Sequence, residues 1–159
     1  GQSITGSAGT GSVSDTITVR FQTAGNDGLS NCIGDTNKTA GKVSWSNTFA
    51  VDANNHLTCT VSVDGGAPGA PVVLIDNVAS LRVLYGVDSK APNNINNNVG
   101  RYVSAIDIDT IYPYTDVHSV RLSIVLNDLV NSTAAITTTL PVLTHTINLM
   151  NKTYPEIKP

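Results

Sequence analysis

The sequence predicts a mainly β domain in which antiparallel sheets pack in two layers. Apolar and polar residues alternate at the two-residue period of half-buried strands in several separate stretches. Thr, Ser, Asn, Val and Ile are abundant, and every acid except Glu156 is Asp, a balance that disfavours helices and supplies strands and turns. Clusters of Gly, Asn, Asp and Pro recur at close intervals between the alternating stretches, the spacing of strands joined by short turns.

The chain has 159 residues and 40% hydrophobic content, enough for one core without metals or many crosslinks. Residues 1–14 are Gly/Ser/Thr-rich and read as a flexible leader or cloning junction, 15–150 as the β domain, and 151–159, with two prolines, as a loose tail. The first strand is Asp15 to Gln22, where Ile17, Val19 and Phe21 alternate with Thr16, Thr18, Arg20 and Gln22. A polar, turn-rich stretch leads through Cys32 to Lys42. Val43, Trp45, Phe49 and Val51 then share one parity, as do Leu57, Cys59, Val61 and Val63, with Asp52-Ala53-Asn54-Asn55 between them. This predicts a hairpin with Cys59 and Trp45 on its apolar side.

The run from Ile75 to Asp88 carries the densest signal. Asp76 has the chemistry of a helix N-cap, and Val78 and Leu81 follow at helical spacing. Leu81, Val83 and Tyr85 continue at strand period as far as Gly86. The expectation is one short helical turn near Asp76–Ser80 running into a strand. Asp88 to Gly100 is Asn- and Pro-rich without periodicity, an exposed loop. Alternation resumes over Arg101 to Ile111, with Asp107 and Asp109 on one face, is cleanest over His118 to Asn127, and returns from Ala134 to Met150 across Pro141.

Charged residues are only 13% of the chain and the net charge is -3, which excludes the basic footprint of a nucleic-acid or anionic-lipid binder. No stretch approaches the roughly 20 apolar residues of a membrane-spanning helix. Cys32 and Cys59 are the whole thiol inventory. Such a pair suits an exported protein with one disulfide, worth about 3–4 kcal/mol by loop-closure entropy; two unpaired buried thiols are the alternative. Gly9-Thr10-Gly11-Ser12-Val13 reads as linker rather than a nucleophile elbow. Asp107 and Asp109 read as a solvated pair, not the two carboxylates of a glycosidase. His56, His118 and His145 have no telling neighbours. Asp88, Asn93 and Asn94 offer oxygen ligands of the kind calcium takes. Most of these oxygens are Asn amides rather than carboxylates, however, and Lys90 lowers the available charge, so a bare surface loop is the favoured reading.

The string Ile75-Asp76-Asn77-Val78-Ala79-Ser80-Leu81-Arg82-Val83-Leu84-Tyr85-Gly86-Val87-Asp88 resembles the mid-domain signature of the PilW family, minor pilins of bacterial type IV pili. Its signature positions are Asp76, Val78, Leu81, Tyr85, Gly86 and Asp88, joined by Arg121 within Val117-His118-Ser119-Val120-Arg121-Leu122. Asn31-Cys32-Ile33-Gly34 and Leu57-Thr58-Cys59 are similar to the family's two cysteine sites. Thr146-Ile147-Asn148-Leu149-Met150-Asn151 is similar to its C-terminal strand, with Met150 where Arg is usual.

The resemblance implies a non-enzymatic head domain that follows a long hydrophobic N-terminal helix, α+β once that helix is counted, and works without a cofactor. The implied partners are other minor pilins and the major pilin in a complex that initiates or caps the filament. The implied location is the inner membrane with a periplasmic head, then the pilus tip, with membrane contact only through the helix. Two alternatives stand beside it: a J-type minor pseudopilin of type II secretion, and an extracellular adhesin or carbohydrate-binding β-sandwich, suggested by the Thr/Asn/Ser surface and Trp45.

Overall fold

Two antiparallel sheets face one another across an apolar core in the computed structural model, which describes residues 3–88, 98–108, 110–127 and 142–149. The first sheet is built in chain order from β1 (Ile4–Ser7), β2 (Thr16–Thr23), β3 (Val43–Val51), β4 (Leu57–Val63) and β5 (Val72–Ile75). The chain then crosses to the second sheet, formed by β6 (Val78–Val87), β7 (Arg101–Val103), β8 (Val117–Leu126) and β9 (Val142–Asn148) in the order β7-β6-β8-β9.

Register follows from the alternation. Ile17 pairs with Phe49 and Phe49 with Cys59, so one face of the first sheet is apolar. Thr18, Thr48 and Thr60 align on the other face, where the Thr18 and Thr48 hydroxyls meet at 2.8 Å. β6 is the spine of the second sheet: Leu81, Val83, Tyr85 and Val87 are buried against the first sheet, joined by Val120 of β8. Truncating one such side chain, Leu81→Ala for example, is expected to cost about 2–5 kcal/mol.

The two-layer β architecture, the hairpin and the β8 strand match the sequence expectations, and three elements differ. Asp76–Ser80 holds no helical turn. Asn77 adopts a left-handed conformation (φ 60°), Val78 N–H is bound by Asn55 C=O at 2.7 Å, and Val78 already pairs with Leu126. Once its N–H groups serve the ladder and the crossover, no helical first turn is left for Asp76 to cap. The only helix among the described residues is a 3-10 turn, Tyr114–Asp116.

The supposed leader contains β1, paired with Thr16–Val19 and burying Ile4; one apolar residue among small ones gives too faint a signal to read as a strand. The strand begun at Arg101 ends at Val103, because Ser104 C=O accepts from the N–H groups of Asp107 and Ile108, and the Ser104 hydroxyl bonds the Asp107 carboxylate at 3.2 Å. Asp107 therefore sits in a turn, and Asp109, with most of the Asn-rich loop and residues 128–141, lies outside the described residues.

Candidate interaction surface

Three features of the β head could engage other molecules: a cleft between the sheets, a bare sheet edge, and an aromatic–cationic platform on the outer face of the second sheet. The cleft opens between β1 and β2 on one side and β8 and β9 on the other. It measures about 390 Å³, and every lining side chain is apolar, including Ile4, Val19, Phe49, Leu122, Ile124 and Ile147. An apolar groove that the described residues leave open is unfavourable in water, so it suits an apolar occupant rather than a polar substrate.

The edge is β5. All four of its residues, Val72 to Ile75, are 39–47% exposed, which means that aliphatic side chains on both faces of the strand meet water. A strand of this kind is a template for another strand. Immediately inside it, Cys59 pairs with Val72 and is disulfide-bonded to Cys32, whose Cα is 6.4 Å away. The bond fixes the 24–42 loop over the far end of the apolar face. There Trp45 is buried and its indole N–H donates to the Thr23 hydroxyl at 3.1 Å. Asn37 locks the loop further, donating to the carbonyls of Thr23 and Gly41 and accepting from Thr39. Trp45 is thus a core residue and offers no stacking face of the kind a sugar-binding site presents.

The structure separates the signature residues by role. Val78, Leu81 and Tyr85 are core positions of β6. Asp76 is exposed at the crossover, its Oδ1 3.7 Å from His56 Nε2, while His56 Nδ1 lies 3.0 Å from Asp52 Oδ2. Backbone N–H groups of His56 and Asn54 hold the Asp52 carboxyl below the usual carboxylate range. Asp88 is buried at the end of β6. Asn93 and Asn94 lie outside the described residues, so the calcium reading is not carried further; among the described residues no three His, Cys, Asp or Glu side chains are grouped to hold a metal.

Gly86 and Arg121 belong to one construction on the outer face. A Cβ on Gly86 would stand 2.2 Å from the Ser119 hydroxyl, 2.9 Å from Val99 Cγ1 and 3.1 Å from the Tyr102 ring, so a side chain there would press on all three and disturb the ring's seat. Ser119 Oγ donates to the Tyr102 hydroxyl at 3.1 Å, and the Arg121 guanidinium lies 4.0 Å above the ring centroid. The sequence string named Gly86 and Arg121 but not Tyr102, because the pairing of β7 with β6 that places it is long-range.

The inner end of β1 forms a further polar knot. Tyr114 accepts from Gly6 N–H (2.8 Å) and donates to Gly6 C=O (2.7 Å), and its ring meets Tyr85 edge-on at 5.4 Å. The Tyr85 hydroxyl is buried with no hydrogen-bond partner among the described residues. Burial, reinforced by nearby Tyr114 and Asp15, raises its pKa above the ordinary phenol value.

The two-sheet β head thus carries an apolar cleft and an exposed aliphatic edge strand, the kinds of surface through which one protein chain engages another. The chain belongs to the PilW family, type IV pilus-assembly protein W, whose family model matches residues 43–157, from β3 to the C-terminal segment. No curated protein and no solved structure matches it. Membership makes this chain a component of type IV pilus assembly.

Proposed function

We propose that this chain is the head of a minor pilin that joins other minor pilins and the major pilin in a complex starting or capping the filament, and that it catalyses no reaction. The cleft carries the reading. Its wholly apolar lining suits one face of an amphipathic helix, and β1, which bears Ile4, lies at its mouth. A helical segment preceding Gly1 would seat there and hold the head to the filament core, after anchoring it in the inner membrane with the head in the periplasm. The bare edge of β5 supports the same reading, since an assembling subunit needs surfaces that stay open until a neighbour arrives.

The test is piliation. In a strain lacking this gene, surface pili should be lost and restored by the whole gene. Val19→Asp in the cleft should block restoration while the isolated head keeps a cooperative melt. Normal pili in the deletion strain, or full restoration by Val19→Asp, would overturn the proposal, and hydrolytic turnover by the purified head would contradict its non-catalytic part.

A further inference from the structure

We propose that the outer face of the second sheet at Arg121 docks a carboxylate-bearing segment of a partner protein. Two arginines share that face, and they differ in one respect. Arg82 is spent within the chain: its Nη1 lies 3.2 Å from Asp15 Oδ1, and its two terminal nitrogens donate to the carbonyls of Val13 and Gly11. Arg121 has no carboxylate partner among the described residues. Its Nε donates to the Thr146 hydroxyl at 3.4 Å, and its guanidinium lies on Tyr102, which leaves both terminal nitrogens without a hydrogen bond among the described residues.

That cation is held, not loose. The missing side chain at Gly86 seats the Tyr102 ring, Ser119 fixes its hydroxyl, and the ring supports the guanidinium plane. A guanidinium held in one orientation presents a two-pronged donor fork to a carboxylate and loses little side-chain entropy on binding. Leu84, directly across the ladder from Arg121 and 36% exposed, places an apolar contact beside the fork. In a chain with twelve acids and nine bases, a prepositioned guanidinium with no acid beside it among the described residues points outward to a carboxylate on another protein.

The inference adds a partner chemistry to the pilus reading without depending on it. The test is titration of the 15N-labelled 159-residue chain with an N-acetylated tetraglutamate peptide, with tetraglutamine as the uncharged control. The Arg121 Nε–Hε and Tyr102 amide signals should shift together and saturate with the acidic peptide only. Arg121→Gln should abolish saturation, and Arg121→Lys, which keeps the charge but not the fork, should weaken binding about tenfold, with the melting transition of each variant checked. Shifts spread evenly over Arg20, Arg82 and Arg101, the absence of saturation, or unchanged binding by Arg121→Gln would each overturn the inference and leave the piliation test untouched.

Discussion

The two edges of the first sheet are treated in opposite ways. β1 is short, made mostly of small residues, and closed: Ile4 is buried, the Ser7 and Thr16 hydroxyls meet at 2.7 Å, and Tyr114 grips both backbone groups of Gly6. β5 is equally short but entirely aliphatic, and its four side chains stay exposed among the described residues. Hydrophobicity alone would bury β5 and leave β1 loose. The observed order is the reverse because an edge is secured by what reaches it from the opposite layer, here the Tyr114 hydroxyl and its edge-on contact with Tyr85, and β5 has no such partner among the described residues. The guard on β5 is Pro71 at its start, which removes one backbone donor.

Breaking the supports one at a time sharpens this contrast. The largest effect is expected from the crosslink behind β5. Replacing Cys32 and Cys59 by Ser opens a loop of sequence separation 27 and should cost about 3–4 kcal/mol in a urea melt, with Trp45 fluorescence shifting toward that of exposed indole. An unchanged midpoint would mean that the 24–42 loop is held without the bond.

Next comes Gly6→Ala. Its new Cβ would stand 2.0 Å from the Tyr85 hydroxyl and 2.5 Å from Thr16 C=O, and backbone cannot yield as a flexible side chain can. A loss of about 3 kcal/mol is expected. Tyr114→Phe removes the two bonds to Gly6 but keeps the ring, so about 2 kcal/mol should go, with hydrogen exchange faster in β1 than in β5. Equal protection changes in both strands would show that the tyrosine does not secure β1 in particular.

Tyr85→Phe should cost less than about 1 kcal/mol near neutral pH, since the hydroxyl it deletes is buried without a partner. Its effect should appear in alkali instead. The folded pKa of Tyr85 is raised, so the unfolded chain loses this proton first. The stability tied to the protonated phenol is therefore complete below about pH 10 and drains away as pH rises through the folded value. Thermal melts from pH 8 to 11 should fall less steeply for Tyr85→Phe than for the parent chain.

Strands with unbroken apolar–polar alternation were legible whatever the distance to their partners: the β3–β4 hairpin, β2 and β8. β1 was not, since its burial depends on Tyr114, more than a hundred residues away, and Ile4 is its single apolar residue. Nor was the irregular start of β6, because Val78 and Leu81 fit helical spacing and a strand with a register shift equally well, and the left-handed Asn77 decides between them. The signature string marked Gly86 and Arg121, but the Tyr102 platform that gives both a purpose exists only once β6, β7 and β8 are paired.

The smallest effect on stability is expected where the effect on assembly should be greatest. Leu74→Lys places a charge on a strand already 39% exposed there, so the melting temperature of the head should move by no more than about 2 °C. A lysine on a sheet edge opposes strand addition, because an incoming strand would have to bury the ammonium or lose its contact. Capture of co-expressed minor-pilin heads should therefore fall several-fold for Leu74→Lys and stay unchanged for a matched lysine on the half-buried, Thr-lined outer face, Thr60→Lys. If both lysines reduce capture equally, the first sheet is used across its polar face. If neither does, β5 is bare for a reason other than partner binding, and the contrast between the two edges belongs to folding alone.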